Sequence, residues 1–153
     1  MRILIVGLGD NHRVPLAYAA MKRTRPNAEI LHASLLSYQA ADWKPGPPGK
    51  KIRQTANNLH LDLRDYQSGR LTAAKINMAD AIVFMDAGNR KRVETILAKF
   101  PEWEGKLIAL GPFAQPPARR IAALQPLKQA SALYRQVVRQ VVSAAEQFAT
   151  SHL

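Results

Sequence analysis

The 153 residues make one compact domain, 1–153, and a composition 47% apolar but only 7% aromatic builds a core from Ala, Leu, Ile and Val and excludes a disordered chain. Lys and Arg number 22 against 11 Asp and Glu, and the resulting charge of +11 predicts attraction to polyanions such as nucleic acid, acidic protein or a membrane surface. The absence of cysteine excludes disulfides, thiolate metal sites and any thiolate nucleophile.

The chain opens on a strand over residues 2–6, whose apolar run "ILIV" is too short for a signal peptide or a membrane span. A soluble, cytoplasmic protein with no membrane span is expected, its oligomeric state left open. Gly7 and Gly9 stop the strand, and Pro15 suits the first turn of a helix running to about residue 23. A second strand is expected over 29–35, then an irregular loop, "SYQAADWKPGPPGKK", dense in Gly and Pro. Polar helices are expected over 50–59 and 71–77, and "AIVFM", 81–85, is the clearest further core strand. Asp86 can cap a helix over 88–100, on which Val93, Ile96, Leu97 and Phe100 share a face. Residues 106–110 form a last strand, and the proline-rich stretch after it allows at most a short helix over 118–124. The final helix, 129–149, carries Leu133, Val137, Val141, Ala144 and Phe148 as its buried stripe.

Strands alternating with helices predict an α/β doubly wound parallel sheet, in which ligands sit beyond the carboxyl ends of the strands. The loop after the first strand, "GLGDNHR", is therefore the first candidate site. It lacks a third glycine at His12, so the dinucleotide fingerprint fails, and no Gly-Lys-Ser/Thr closes it as a Walker loop. What remains is a run of backbone N–H groups at a helix N-terminus, with Arg13 able to grip an oxyanion. Gly7, Leu8, Gly9, Asp10, Asn11, His12 and Arg13 are the candidate phosphate-binding residues. The alternative is a tight turn in which Arg13 pairs with a local carboxylate. His32, His60 and His152 have no ligand-like spacing, so neither a metal nor a cofactor is expected.

"ILIVGLGDNHRVPLAYA" resembles the opening of the low-molecular-weight protein tyrosine phosphatase family, whose loop reads Cys-Leu-Gly-Asn-x-Cys-Arg-Ser-Pro-x-Ala. Leu8, Gly9, Arg13, Pro15 and Ala17 match it. "DWKPGPP" is similar to the family's Trp-x-x-Gly-x-Pro segment through Trp43, Gly46 and Pro48. The "LDL" at 61–63, Leu71 with Thr72, and "ADAIVFMDAGNRKRV" with Met85, Asp86 and Asn89 follow in the family's order. The resemblance implies a three-layer fold: a central four-stranded parallel sheet with helices on both faces.

The resemblance also shows what has been lost. The nucleophilic cysteine of the family is Gly7 here, the second loop cysteine His12, the asparagine Asp10, and the activating hydroxyl residue Val14. Counting back from "YRQVV", which resembles the start of the family's last helix, the general-acid aspartate falls on Gln125. No other Asp or Glu lies between Gly105 and Glu146. The cysteinyl-phosphate mechanism is thereby excluded. The leading expectation is a pseudophosphatase holding phosphate or a phosphorylated or otherwise anionic partner, with Trp43 and Gln125 flanking the site. One alternative is a basic module for nucleic acid or acidic protein, with Trp43, Tyr38 and Tyr66 stacking beside Lys44, Lys50, Lys51 and Arg64. The other is a phosphohydrolase that uses His12 or Asp10 instead of cysteine.

Overall fold

The computed structural model describes residues 1–153. Strands β1 (Ile3–Gly7), β2 (Ile30–Ser34), β3 (Ala81–Phe84) and β4 (Lys106–Ala109) form an all-parallel sheet in the order β2-β1-β3-β4. Because β1 is central and covered on both faces, every one of its residues is buried, and alternate side chains serve different cores. Ile3 and Ile5 join one cluster, with Ala81, Val83 and Met85; Leu4 and Val6 join another, with Ile82 and Phe84.

Helices α1 (Arg13–Thr24), α2 (Lys50–Asn58) and α5 (Ala132–His152) cover the first face, contributing Leu16, Ile52 and Phe148 among others. Helices α3 (Ala73–Met78) and α4 (Ala87–Leu97) cover the second through Ile76, Val93 and Ile96. This is the expected three-layer α/β arrangement. After β2 the chain crosses to β3 on the other side of β1, so a crevice opens above the carboxyl ends of β1 and β3, where the winding reverses.

The boundaries correct the sequence expectations in places that matter. α1 begins at Arg13, so Pro15 is its third residue, still within the first turn, where no intrahelical donor is needed. Arg13 thereby leaves the loop and becomes the first helical residue. Residues 118–124 form no helix. Instead Ile121 and Leu124 anchor the segment singly in the core, and Ile121 N donates to Met85 O at 2.9 Å.

α5 starts at Ala132, capped by Ser131, whose hydroxyl accepts from Tyr134 N at 3.0 Å. Leu133, expected in its buried stripe, is 50% exposed, and Tyr134 takes the inward place. At 3.6 residues per turn Tyr134 stands about 20° from Val141 around the axis and Leu133 about 80°. The Tyr134 hydroxyl is satisfied by Thr55 Oγ1 at 2.8 Å, which makes burial of a phenol tolerable.

Candidate functional site

The loop of residues 8–12 joins β1 to α1 and is clasped from the β2 side. Leu8 O accepts from Leu36 N at 3.1 Å and from Ser34 Oγ at 3.0 Å. Asp10 is buried, and its carboxylate takes three donors: Gly69 N at 2.6 Å, His32 Nδ1 at 2.7 Å, and the hydroxyl of Tyr66. Burial and the adjacent Asp10 carboxylate push the Tyr66 phenol well above its ordinary range, so it remains a donor. The His32 ring stacks on Tyr66 at 4.4 Å between centroids, and Lys75 Nζ donates to His32 O at 3.0 Å. With its carboxylate occupied and out of solvent, Asp10 is not presented to a ligand. Tyr66 is likewise held in this network and offers no free face for stacking.

With its carbonyl and carboxylate oxygens held in this way, the loop leaves its donors free. None of the backbone N–H groups of Leu8, Gly9, Asp10, Asn11 and His12 donates to another group of the protein. They lie at the N-terminus of α1, where the aligned peptide dipoles add positive potential. His12 occupies the cap position of α1 without a side-chain capping bond. Its imidazole is held below its ordinary pKa by burial, then by Lys51 and Arg13.

Arg13 is pinned at its tip: one terminal nitrogen donates to Asp86 Oδ2 at 2.8 Å and the other to the carbonyl of Ile121. Asp86 uses its second oxygen to accept Asn89 N at 2.9 Å, capping α4 as the sequence indicated. The pairing of Arg13 with a carboxylate is thus present. Of the five guanidinium N–H donors two are engaged, which leaves three, including Nε–H.

Above the loop lies an open cleft of about 620 Å³ lined by residues Gly7 to Val14, Trp43 and Gln125. The fold therefore brings together every residue of the anion-loop reading, whereas Tyr38, Tyr66, Lys50, Lys51 and Arg64, named for nucleic acid, lie outside this lining. It adds Ser34, Leu36, Ser68, Lys44, Asn89 and Arg92 to the walls. Ser34 and Leu36 are within reach of sequence reasoning, since Ser34 ends β2 and Leu36 follows it by two residues, on the same carboxyl side as the loop. Ser68 carries no sequence signal. A second groove, beyond Pro47, is lined by Arg53, Asn57, His60 and Arg64 and does not touch the loop.

No family model matches the chain. A curated relative, a probable low molecular weight protein-tyrosine-phosphatase EpsP of Ralstonia solanacearum, is 24% identical over 113 residues, which span 74% of this chain and 72% of that protein. Among solved structures, the Drosophila arginine phosphatase DARP superposes with a TM-score of 0.80 at 21% identity, covering 99% of this chain and 98% of that one. This is the low-molecular-weight protein tyrosine phosphatase fold. The Erwinia amylovora tyrosine phosphatase AmsI shares it, at a TM-score of 0.78 and 22% identity over 98% of this chain and 91% of its own.

Position 7, which the resemblance aligns with the family's nucleophilic cysteine, is sterically closed as well as free of sulfur. A Cβ added to Gly7 would lie 2.9 Å from the carbonyl oxygen of Gly9 and 2.9 Å from Val14 Cγ2. One of these neighbours is backbone, so no side chain enters position 7 unless the loop shifts. Gln125 lies in the cleft wall, where an amide has no proton to give a leaving group.

Proposed function

We propose that the protein is a pseudophosphatase that binds phosphate, or a phosphorylated or otherwise anionic partner, in the 8–13 loop without hydrolysing it. The observation that carries this reading is the set of five consecutive backbone N–H groups without an acceptor, on a loop held in place by Ser34, Leu36 and the Asp10 network. An oxyanion is the ligand that supplies what such a set lacks. Arg13 retains donors for it, and no thiolate competes with it for the positive potential. The neighbours named as tyrosine and arginine phosphatases support an oxyanion as the ligand class.

Titration of the protein with inorganic phosphate, followed through the backbone amide resonances of residues 8–12, tests the reading. Saturable shifts confined to the loop and the start of α1 are expected, with a raised thermal midpoint at millimolar anion and no turnover of an aryl phosphate. Unchanged resonances and an unchanged midpoint would refute it. Arg13→Lys keeps the charge but loses the forked donors, and should weaken binding about tenfold.

A further inference from the structure

The cleft offers more than one oxyanion requires. Its volume of about 620 Å³ falls among sites for organic ligands, which run from roughly 300 to 1,000 Å³. Lys44, from the loop after β2, and Arg92, from α4, both line it, and neither has a hydrogen-bond or ion-pair partner. The carboxylates that also line it, Asp10 and Asp86, are each already bonded, the first to three donors and the second to Arg13 and Asn89 N.

Two leucines, Leu8 at 43% and Leu36 at 48% exposure, line the same cleft as half-buried Trp43. Asn89 is 3% exposed, and its carboxamide oxygen is the one buried side-chain polar atom of the protein without a hydrogen-bond partner.

We propose that this cleft docks an acidic protein segment carrying a phosphate, with the phosphate on the 8–13 loop and flanking carboxylates on Lys44 and Arg92. The proposal rests on the anion-binding reading of the loop and adds the partner's nature. Charge complementarity favours it, since the free charges facing the cleft are cationic on a chain of net +11. The exposed Leu8 and Leu36 of the lining favour peptide over nucleic acid, because apolar side chains can cover them and a charged phosphodiester backbone cannot. Leu8 and Leu36 then cover apolar side-chain surface of the same segment.

The test is the binding of two fluorescent peptides of about nine residues at about 0.15 M salt. Each has a central phosphotyrosine, flanked by glutamate in one and by glutamine in the other. The acidic peptide should bind about tenfold more tightly, a ratio of the size two partly exposed ion pairs supply. In a Lys44→Gln, Arg92→Gln double variant, both positions being exposed, that ratio should fall below about twofold. Equal binding of the two peptides in the wild type, or a ratio that survives the double variant, overturns the proposal. So does displacement of the acidic peptide by single-stranded DNA at equal concentration. If inorganic phosphate shifts the loop while the peptides do not differ, this proposal fails and the anion-binding reading stands. If neither phosphate nor either peptide binds, both fall.

Discussion

Arg13 and Asp86 meet at 2.8 Å across the cleft floor, joining the first residue of α1 to the cap of α4. The Arg13 side chain is 9% exposed and that of Asp86 27%, so the pair is partly shielded from solvent screening. Asp86→Ala removes the ion pair and the α4 cap together, and about 3 kcal/mol of stability should go with them. The same change frees the guanidinium from its neutralising partner, so inorganic phosphate should bind more tightly as the fold weakens. Denaturant unfolding and phosphate titration on one variant read the two effects with opposite signs. A variant weakened in both would show that Asp86 serves the anion by orienting Arg13.

Gly7→Cys introduces the cysteine that the phosphatase resemblance places at this position. The new Cβ meets the Gly9 carbonyl and the Val14 side chain at 2.9 Å, so the loop must shift, at about 1–3 kcal/mol for overpacking. By the same resemblance, a correctly placed thiolate would face an amide, Gln125, at the position aligned with the family's acid. The variant should unfold at lower denaturant and show no turnover of an aryl phosphate above buffer. Measurable hydrolysis would show that the loop opens at low cost and that the wild type lacks nothing but sulfur.

How far the sequence carried this reading depends on the range of the interactions involved. β1 and β3 were legible because a strand buried on both faces is a continuous apolar run, and "ILIV" and "AIVF" have no other home. The loop was legible because Gly7 and Gly9 end a strand where a doubly wound sheet puts its ligands. Leu133 was misplaced because a stripe read four residues back from Val137 ignores the drift of a 3.6-residue helix over several turns. The segment 118–124 was harder still, since its order comes from single anchors, Ile121 and Leu124, and from Arg13, more than a hundred residues earlier. The clasp on Asp10 left no local trace: His32, Tyr66 and Gly69 are joined to it only by the fold.

That clasp makes Asp10 a stability residue as well as an anchor of the loop whose N–H groups lack acceptors. Asp10→Ala leaves the Tyr66 hydroxyl, the Gly69 N–H and the His32 ring nitrogen without their acceptor, and about 3 kcal/mol of stability should be lost. Asp10→Asn, which restores the residue type the phosphatase loop carries, keeps one acceptor oxygen but adds donors facing donors. It should fall between wild type and Asp10→Ala in denaturant midpoint. Equal stability of the Asp10→Asn variant and the wild type would mean that the charge contributes nothing and that a single acceptor suffices.

His12 gives the site a pH dependence of definite sign. Burial, Lys51 and Arg13 all disfavour the imidazolium, so the folded pKa lies below the ordinary 6.5 of the unfolded chain. As pH falls through 6.5 the unfolded chain takes a proton that the native His12 still refuses. The contribution of His12 to stability is therefore complete above that pH and is lost on the way down to the depressed folded pKa. An anion in the loop reverses the local field, favours the imidazolium and couples its own binding to proton uptake. Sulfate, which keeps its charge across this range, separates the protein's titration from the ligand's. Its affinity should rise as pH falls from about 7.5 to 6, with proton uptake visible as a buffer-dependent binding enthalpy. His12→Gln should flatten the profile while leaving sulfate binding at about pH 7.5 within about twofold, because His12 is mostly neutral there already. A wild-type profile as flat as the variant's would place the His12 ring outside the field of the bound anion.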